Sequence, residues 1–270
     1  MKNKKTVQKN VQQENKKNTV EKSKVVPSAD FSLLDKMETA LTNNASKVIL
    51  IILLIAVAFS YLSFDLKIST ANDDALYIEA GAKYAEAFFA HDSYYLANAP
   101  LYPMLLGLII KIFGVKMIVL KSFSILFFCL GIYLLYKAFF KRIPSVILFP
   151  ALLLTSVNFP FLMYASLTYT ECLYLTVIGL SFVILFKCFD IIFSQASFTV
   201  QLIPAILGIS FSVFLFVLTR NIALIAIVPV FLYLVYRKRI PEAVLSILGT
   251  GVFYFIYKFL IKIIWKIRTH

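Results

Sequence analysis

Long apolar runs alternate with short polar segments along most of this chain. Seven of these runs approach the roughly 17–25 residues that an α-helix needs to cross the hydrocarbon core of a membrane. They lie at residues 48–64, 117–140, 146–159, 172–189, 202–219, 222–236 and 243–261. The pattern therefore predicts an all-α integral membrane protein, a polytopic bundle of about seven transmembrane helices.

The segment before the first apolar run is polar and basic. Residues 1–46 are rich in Lys, Asn, Gln and Ser and cannot bury a hydrophobic core, so most of them are predicted to form a disordered cytoplasmic tail. Apolar residues within 31–41 recur at helical spacing, which fits a short helix on the membrane surface; a plain linker fits equally well. The charged leader is too long for a cleaved signal peptide, so 48–64 is interpreted as an uncleaved anchor. Residues 47–270 then form one membrane module.

The first extracytoplasmic loop is predicted at residues 65–114. Its first part, residues 65–100, carries six acidic residues against two lysines, and 75–90 has the pattern of an amphipathic helix. The run at 101–113 follows a proline and is too short to span, which favours an interfacial or re-entrant helix. The loop is therefore predicted to contain amphipathic juxtamembrane helices.

The composition excludes an ordinary soluble domain, because 60% of the residues are hydrophobic, only 15% are charged and the mean hydropathy is +0.84. The net charge is +13, but ten of the 27 basic residues lie in the first 47 positions and most others flank apolar runs. That placement indicates contact with anionic membrane lipids rather than nucleic acid. The three cysteines lie far apart and form no CxxC pattern, so neither a disulfide framework nor a zinc site is predicted.

The basic residues also predict an orientation. If each apolar run crosses the membrane once, most of the basic residues between the runs fall on the same side of the membrane as the tail. They are Lys137, the pair at 141–142, Lys187 and the cluster at 237–239. Cytoplasmic segments carry the excess of Lys and Arg, so that side, with the N-terminus, is predicted to be cytoplasmic. The basic stretch at 262–268 then falls outside, against the rule. The Lys/Asn-rich composition is typical of a protein of the bacterial cell membrane.

Three polar features are predicted to share the extracytoplasmic face. Asp73 and Asp74 lie where the acidic loop enters its helix, Glu171 precedes one span and Arg220 ends another. An ionised side chain facing hydrocarbon costs about 2.5–3.5 kcal/mol, so Glu171 and Arg220 need partners or a wet pocket. Each feature also has a structural explanation, because the acids can cap helices and Arg220 can reach lipid phosphates.

The sequence around these residues resembles a known family. The motifs are DDALYIEAG at 73–81, NAPLYP at 98–103, IFG at 112–114, TE at 170–171 and LTR at 218–220. In order and spacing they resemble the GT-C type of glycosyltransferase, and more narrowly the branch of protein O-mannosyltransferases and lipid A aminoarabinose transferases. The resemblance covers roughly residues 45–260.

The resemblance implies an enzyme that moves a sugar from a polyprenyl-phosphate carrier to an acceptor, usually with inversion of the anomeric carbon. Asp73 is the expected general base, and Asp74 would support acceptor or sugar binding. The expected substrate- and donor-binding residues are Glu171, Arg220, Tyr77 and Tyr102. Arg220 would stabilise the phosphate leaving group. No cofactor is expected, and a divalent metal is left open.

Two departures from the family keep other interpretations open. Asn98 and Ala99 stand where relatives often have a basic residue and prolines, so a phosphate contact is missing unless Lys111, Lys116 or Lys121 replaces it. Each of these lysines also fits an interfacial position. Relatives are longer, which suggests a truncated chain or a protein partner. A non-catalytic subunit with the same fold is one alternative. A transporter or flippase for a lipid-linked substrate is the other, although the polar residues gather at one face rather than at the midplane.

Overall fold

The computed structural model describes residues 29–64, 66, 73–86 and 100–268, and every regular element within them is a helix. In chain order the α-helices are α1 (Ala29–Asn43), α2 (Ala45–Leu62), α3 (Asp73–Glu86), α4 (Leu101–Phe113), α5 (Met117–Phe139), α6 (Ser145–Ser156), α7 (Phe159–Ala165), α8 (Thr170–Ser194), α9 (Ile203–Thr219), α10 (Ile227–Tyr236) and α11 (Ile240–Arg268). Two 3-10 segments, Val200–Leu202 and Asn221–Ala226, precede α9 and α10. The all-α prediction is confirmed for the described residues.

The chain divides into two compact units, residues 1–40 and residues 41–270. The described part of the first unit is helical, and the Thr39 hydroxyl donates to the Asp35 carbonyl oxygen at 2.8 Å. Helix α1 covers residues 31–41, where the sequence left a helix and a linker open. Most of the predicted disordered tail lies outside the described residues, so its disorder stays a prediction.

Five helices are long and apolar enough to cross a membrane. They are Ala45–Leu62, Met117–Phe139, Thr170–Ser194, Val200–Thr219 and Ile240–Leu260. Helices α6 and α7 meet at a bend of 54° and add a sixth span if the pair crosses as one. Leu101–Phe113 and Leu224–Tyr236 are shorter apolar helices. These helices make the chain a multi-pass helical membrane protein, and the count of seven spans stays a prediction.

Helices α5 and α8 run parallel along their contact. Towards the start of the contact, the Thr176 hydroxyl donates to the Phe127 carbonyl oxygen at 2.5 Å. At its other end, Arg142 just after α5 donates to the Asp190 carboxylate of α8 at 2.5 Å. Two helices of one chain can run parallel only if the chain between them returns to the end at which the first helix began. The bent pair α6–α7 lies between α5 and α8 in the chain and provides this return.

Helix α9 runs antiparallel to α8. The Ser181 hydroxyl donates to the Ser212 carbonyl oxygen at 3.2 Å, and Arg220 after α9 reaches Glu171 in the first turn of α8. The bundle therefore has two ends, called here the Glu171 end and the Asp190 end after these two residues of α8.

Helix α2 connects the same two ends. Thr42 just before it shares a hydrogen bond of 2.9 Å with Ser145 at the start of α6, on the Asp190 end. Near its last turn, the Tyr61 hydroxyl lies 3.3 Å from the Ser122 hydroxyl of α5, on the Glu171 end. The chain therefore leaves α2 at the Glu171 end, the end at which α3 then contributes its first turn.

Glycines let two helix pairs pack unusually closely. A Cβ atom added to Gly131 of α5 would lie 2.9 Å from Leu175 Cγ and 3.0 Å from the Thr176 nitrogen of α8. One added to Gly107 of α4 would lie 2.5 Å from Tyr84 Cβ of α3. Small residues favour close helix approach in membranes because packing, rather than water exclusion, drives association there.

The α3–α4 pair packs onto the main bundle through one buried hydrophobic cluster. Its members from α3 and α4 are Ile78, Tyr102, Leu106, Ile109 and Ile110, and those from α5, α8 and α9 are Leu120, Leu173, Val177 and Phe216. The predicted juxtamembrane helices at 75–90 and 101–113 correspond to α3 and α4, and residues 87–99 lie outside the described residues.

Candidate functional site

Asp74 anchors the start of α3 to the segment before α8. Its side chain is fully buried, and its Oδ1 accepts the backbone N–H of Thr168 at 2.9 Å. The Thr168 hydroxyl in turn donates to the Asp74 carbonyl oxygen at 3.4 Å. A carboxylate that accepts a backbone N–H makes a charge-assisted hydrogen bond, and the positive end of the α3 dipole favours an acid at this position. This double contact fixes the first turn of α3 at the Glu171 end.

Glu171 and Arg220 form an ion pair between the two ends of helices that meet there. Arg220 Nη2 donates to Glu171 Oε1, and it also lies 3.4 Å from the Thr170 hydroxyl. Glu171 is in the first turn of α8 and Arg220 follows the last turn of α9, so both helix dipoles favour these charges. The Glu171 side chain is 20% exposed and that of Arg220 is 39% exposed. The pair is therefore open to a ligand from outside the bundle.

The Arg220 guanidinium keeps part of its hydrogen-bonding capacity. Its side-chain hydrogen bonds within the described residues all use Nη2. The central carbon of the Arg220 guanidinium, Cζ, also lies 5.7 Å from the centre of the Tyr174 ring, so a cation–π contact helps to hold the guanidinium in place. A guanidinium carries five N–H donors, so Nη1 and Nε can bind a second oxyanion.

Four tyrosines line the same region. The rings of Tyr77 and Tyr102 meet edge to face with centres 5.3 Å apart, and Tyr77 meets Tyr169 at 6.3 Å. Tyr169 also contacts Tyr164 with ring centres 5.7 Å apart. These contacts join α3, α4 and the segment before α8 through side chains that carry both an apolar ring and a polar hydroxyl.

Tyr102 is the most deeply buried of these tyrosines. Its hydroxyl lies 3.3 Å from the Ser124 hydroxyl of α5. Burial raises the pKa of the Tyr102 hydroxyl well above its ordinary value, and the nearby Asp74 carboxylate adds to the rise. Tyr102 therefore remains a neutral hydrogen-bonding group over the whole range in which a carboxylate works as a base.

Lys121 brings a second cation to this end of the bundle. It lies one turn before Ser124 on α5, and its side chain is fully buried. The adjacent Leu120 belongs to the cluster that contains Tyr102 and Leu173. A buried ammonium is stable only beside an acidic or otherwise strongly polar partner, so its burial marks a polar interior here. Lys111 and Lys116, by contrast, are exposed, as interfacial lysines are.

The 168–171 segment therefore connects most of the residues that the sequence singled out. It binds Asp74 through Thr168, Tyr77 through Tyr169, and Arg220 through Thr170 and Glu171. Asp73 is the first residue of α3, directly before Asp74, and its side chain lies outside the described part. The positions of Asn98 and Ala99 also lie outside it.

Sequence reasoning missed Thr168 and left Lys121 as one of three equivalent lysines. Thr168 carries no charge and sits in no motif, so its hydrogen bond to Asp74 has no signal in a single sequence. Glu171 was singled out because it is the only acidic residue between Asp92 and Asp190.

A metal was left open by the sequence. Among the described residues, no group of three or more His, Cys, Asp and Glu side chains is placed to hold one. The Asp73 side chain lies outside the described part of the chain.

No protein-family model, no curated protein and no solved structure matches this chain. The GT-C resemblance therefore remains an expectation that rests on the motifs.

Proposed function

We propose that this protein is a membrane glycosyltransferase of the GT-C type, which moves a sugar from a polyprenyl phosphate to an acceptor at the extracytoplasmic face. The observation that carries the proposal is the 168–171 segment, which connects a buried acid of the DD motif to a partly exposed Glu–Arg pair at one end of the bundle. Acids and a cation in one polar region are what transfer from a lipid phosphate requires.

The proposed orientation places the Asp190 end in the cytoplasm. That end holds Lys137, Lys187, the pair at 141–142 and the cluster at 237–239, as the sequence predicted for one side. The excess of Lys and Arg marks the cytoplasmic side of a membrane. The Glu171 end then faces outward, and the N-terminus is cytoplasmic. We place the protein in a bacterial cell membrane.

The proposal includes seven spans. Arg220 contacts Glu171 at one end of α8, and Arg237 stacks on Phe193 near the other end, with ring centre and guanidinium carbon 4.2 Å apart. The 3-10 segment and α10 between these arginines therefore cover the length of α8, although α10 alone is short. A 3-10 segment rises about 2.0 Å per residue against about 1.5 Å for an α-helix, so fewer residues are needed.

The proposed reaction is a displacement at the anomeric carbon. The oxygen or nitrogen of the acceptor attacks this carbon while Asp73 takes the proton of the attacking group. The bond between the anomeric carbon and the phosphate oxygen breaks, and the polyprenyl phosphate leaves with the electron pair. Arg220 binds the developing phosphate charge through the donors that Glu171 does not use. Asp74 acts as a positioning residue, because its contact with Thr168 holds the helix turn that begins at Asp73.

The test is the reaction of the purified full chain with undecaprenyl phosphate carrying mannose, glucose or 4-aminoarabinose, with a membrane extract as the acceptor source. Phosphorus NMR follows conversion of the phosphodiester into the free phosphomonoester. We expect one donor to be consumed by the wild type, and Asp73→Asn to lower that rate by about 10²–10⁴-fold because the base is lost.

Glu79→Gln is the matched control, since Glu79 is an exposed acid of the same helix that pairs with Lys83. It should leave the rate unchanged. An Asp73→Asn variant that folds and reacts at the wild-type rate would contradict the role of Asp73. A wild type that consumes no donor would favour the non-catalytic subunit.

A further inference from the structure

A cleft on the Asp190 end is lined by cations. Its two adjoining cavities have volumes of about 380 and 410 Å³ and share Arg142, Phe186 and Asp190. The charged residues that line them are Lys137, Lys141, Arg142, Lys187, Arg237 and Asp190. Five cationic side chains thus face one carboxylate among the described residues of the cleft, which leaves a strongly positive site.

Both arginines of the cleft are held in place by aromatic rings. The Arg142 guanidinium lies 4.4 Å from the centre of the Phe186 ring and donates to Asp190 at 2.5 Å. The Arg237 guanidinium lies 4.2 Å from the centre of the Phe193 ring and donates to the Tyr233 hydroxyl at 3.2 Å. Fixed guanidinium groups bind phosphate with little loss of side-chain freedom.

Two grooves adjoin the cleft, one lined by apolar and aromatic side chains and the other by a mixture of aliphatic and polar ones. One groove, of about 440 Å³, lies between α8 and α10, and it shares Phe186, Phe189 and Tyr233 with the cleft. The other, of about 290 Å³, lies between α2 and α5 and shares Tyr136 and Lys137 with it. The aliphatic wall of the second groove is Ile49, Leu50 and Leu53 of α2. A positive site next to two separate grooves with hydrophobic walls matches a ligand with one anionic head group and two hydrocarbon chains.

We infer that this cleft is a binding site for an anionic glycerophospholipid. The phosphate lies between Arg142 and Arg237, near Lys137 and Lys141, and one acyl chain enters each groove. Basic pockets between transmembrane helices on the cytoplasmic side bind anionic lipid head groups. A polyprenyl phosphate has the same phosphate chemistry but a single chain, so it leaves one groove empty.

The inference does not depend on glycosyl transfer, and it is tested on the full chain in detergent. Native mass spectrometry measures the binding of phosphatidylglycerol, phosphatidylcholine and undecaprenyl phosphate. We expect phosphatidylglycerol to bind the wild type at least ten times more tightly than phosphatidylcholine, and the binding of undecaprenyl phosphate, which the proposed function assigns to the Glu171 end, to be unaffected by changes in the cleft. Arg142→Gln combined with Arg237→Gln should remove that preference.

Arg142 also pairs with Asp190, so its replacement could lower binding by disturbing the fold. A second variant that leaves this ion pair intact distinguishes the two causes. Lys137→Gln with Lys141→Gln changes two exposed side chains and should weaken phosphatidylglycerol binding several-fold. The matched control is Lys111→Gln with Lys116→Gln, two exposed lysines that flank the turn before α5, and it should leave the binding unchanged. Equal affinity for phosphatidylcholine, a loss of undecaprenyl phosphate binding in the Arg142→Gln and Arg237→Gln double variant as large as the loss of phosphatidylglycerol binding, or an equal loss in the control would overturn the inference.

Discussion

At the scale of single residues, the contact between Asp74 and Thr168 attaches the first turn of α3 to the segment before α8. Both side chains are fully buried, so water cannot replace the hydrogen bond if one partner is lost. The contact spans 94 positions in the chain, which makes it one of the links that tie the acidic loop to the bundle.

A pair of substitutions at position 74 separates the hydrogen bond from the charge. Asp74→Ala leaves the Thr168 N–H buried without its acceptor, so it should lower the free energy of unfolding by about 1–3 kcal/mol. Asp74→Asn keeps an oxygen acceptor of the same shape and should cost less. Thermal unfolding of the two variants in the same detergent measures the difference. Equal destabilisation would show that the charge, rather than the hydrogen bond, is what matters.

The sequence predicts which charged residues share one end of the bundle but not their partners. Asp74, Glu171 and Arg220 lie at the same end because the spans alternate in direction, and that alternation follows from counting apolar runs. The pairing of Glu171 with Arg220 depends on α8 and α9 being neighbours, which hydropathy does not encode. Lys121 looks like an interfacial lysine in the sequence, and only the packing of α5 shows that it is buried.

At the scale of elements, helix packing depends on a few small residues. Gly131 and Gly179 face each other where α5 and α8 touch, and a Cβ at Gly179 would lie 2.7 Å from Leu134 Cβ. Small residues also lie between α9 and α11, where the Ser210 hydroxyl donates to the Ser246 carbonyl oxygen at 3.0 Å.

A glycine pair tests this packing directly. Gly131→Ala should destabilise the fold by about 1–3 kcal/mol because the added methyl group meets the backbone of α8. Gly251→Ala in α11 is the control, since nothing lies within 4 Å of its added Cβ and alanine favours a helix over glycine. Thermal unfolding should place Gly131→Ala below the wild type and Gly251→Ala at or above it. The reverse order would contradict the packing described here.

Helix boundaries agree closely with the ends of the predicted apolar runs where a polar residue follows the run. The run at 117–140 corresponds to Met117–Phe139, and that at 202–219 ends with α9 at Thr219. The run at 172–189 is shorter than Thr170–Ser194, because Glu171 and Asp190 continue the helix as polar residues at its two ends. The bend after Ser156 was not predicted, since Asn158 and Pro160 start a new helix within an apolar stretch.

At the scale of the whole molecule, the charges divide between the two ends of the bundle. The Asp190 end holds the basic clusters, whereas the Glu171 end mixes the acids Asp74 and Glu171 with Arg220 and the buried Lys121. The sequence predicts this asymmetry, because the basic clusters lie in short loops between successive apolar runs. The basic residues at 262–268, which break the rule, have side chains outside the described part.

The measurement that tests the account most directly is side-specific labelling with a membrane-impermeant maleimide in intact cells. Leu66 is an exposed residue shortly after α2 at the Glu171 end, and Ser197 is an exposed residue of the loop after α8 at the Asp190 end, so each is replaced by cysteine in turn. We expect label on Leu66→Cys in intact cells and on Ser197→Cys only after permeabilisation, with the wild type as the control for its three native cysteines. Labelling of Ser197→Cys alone in intact cells would place the Glu171 end in the cytoplasm and contradict extracytoplasmic sugar transfer.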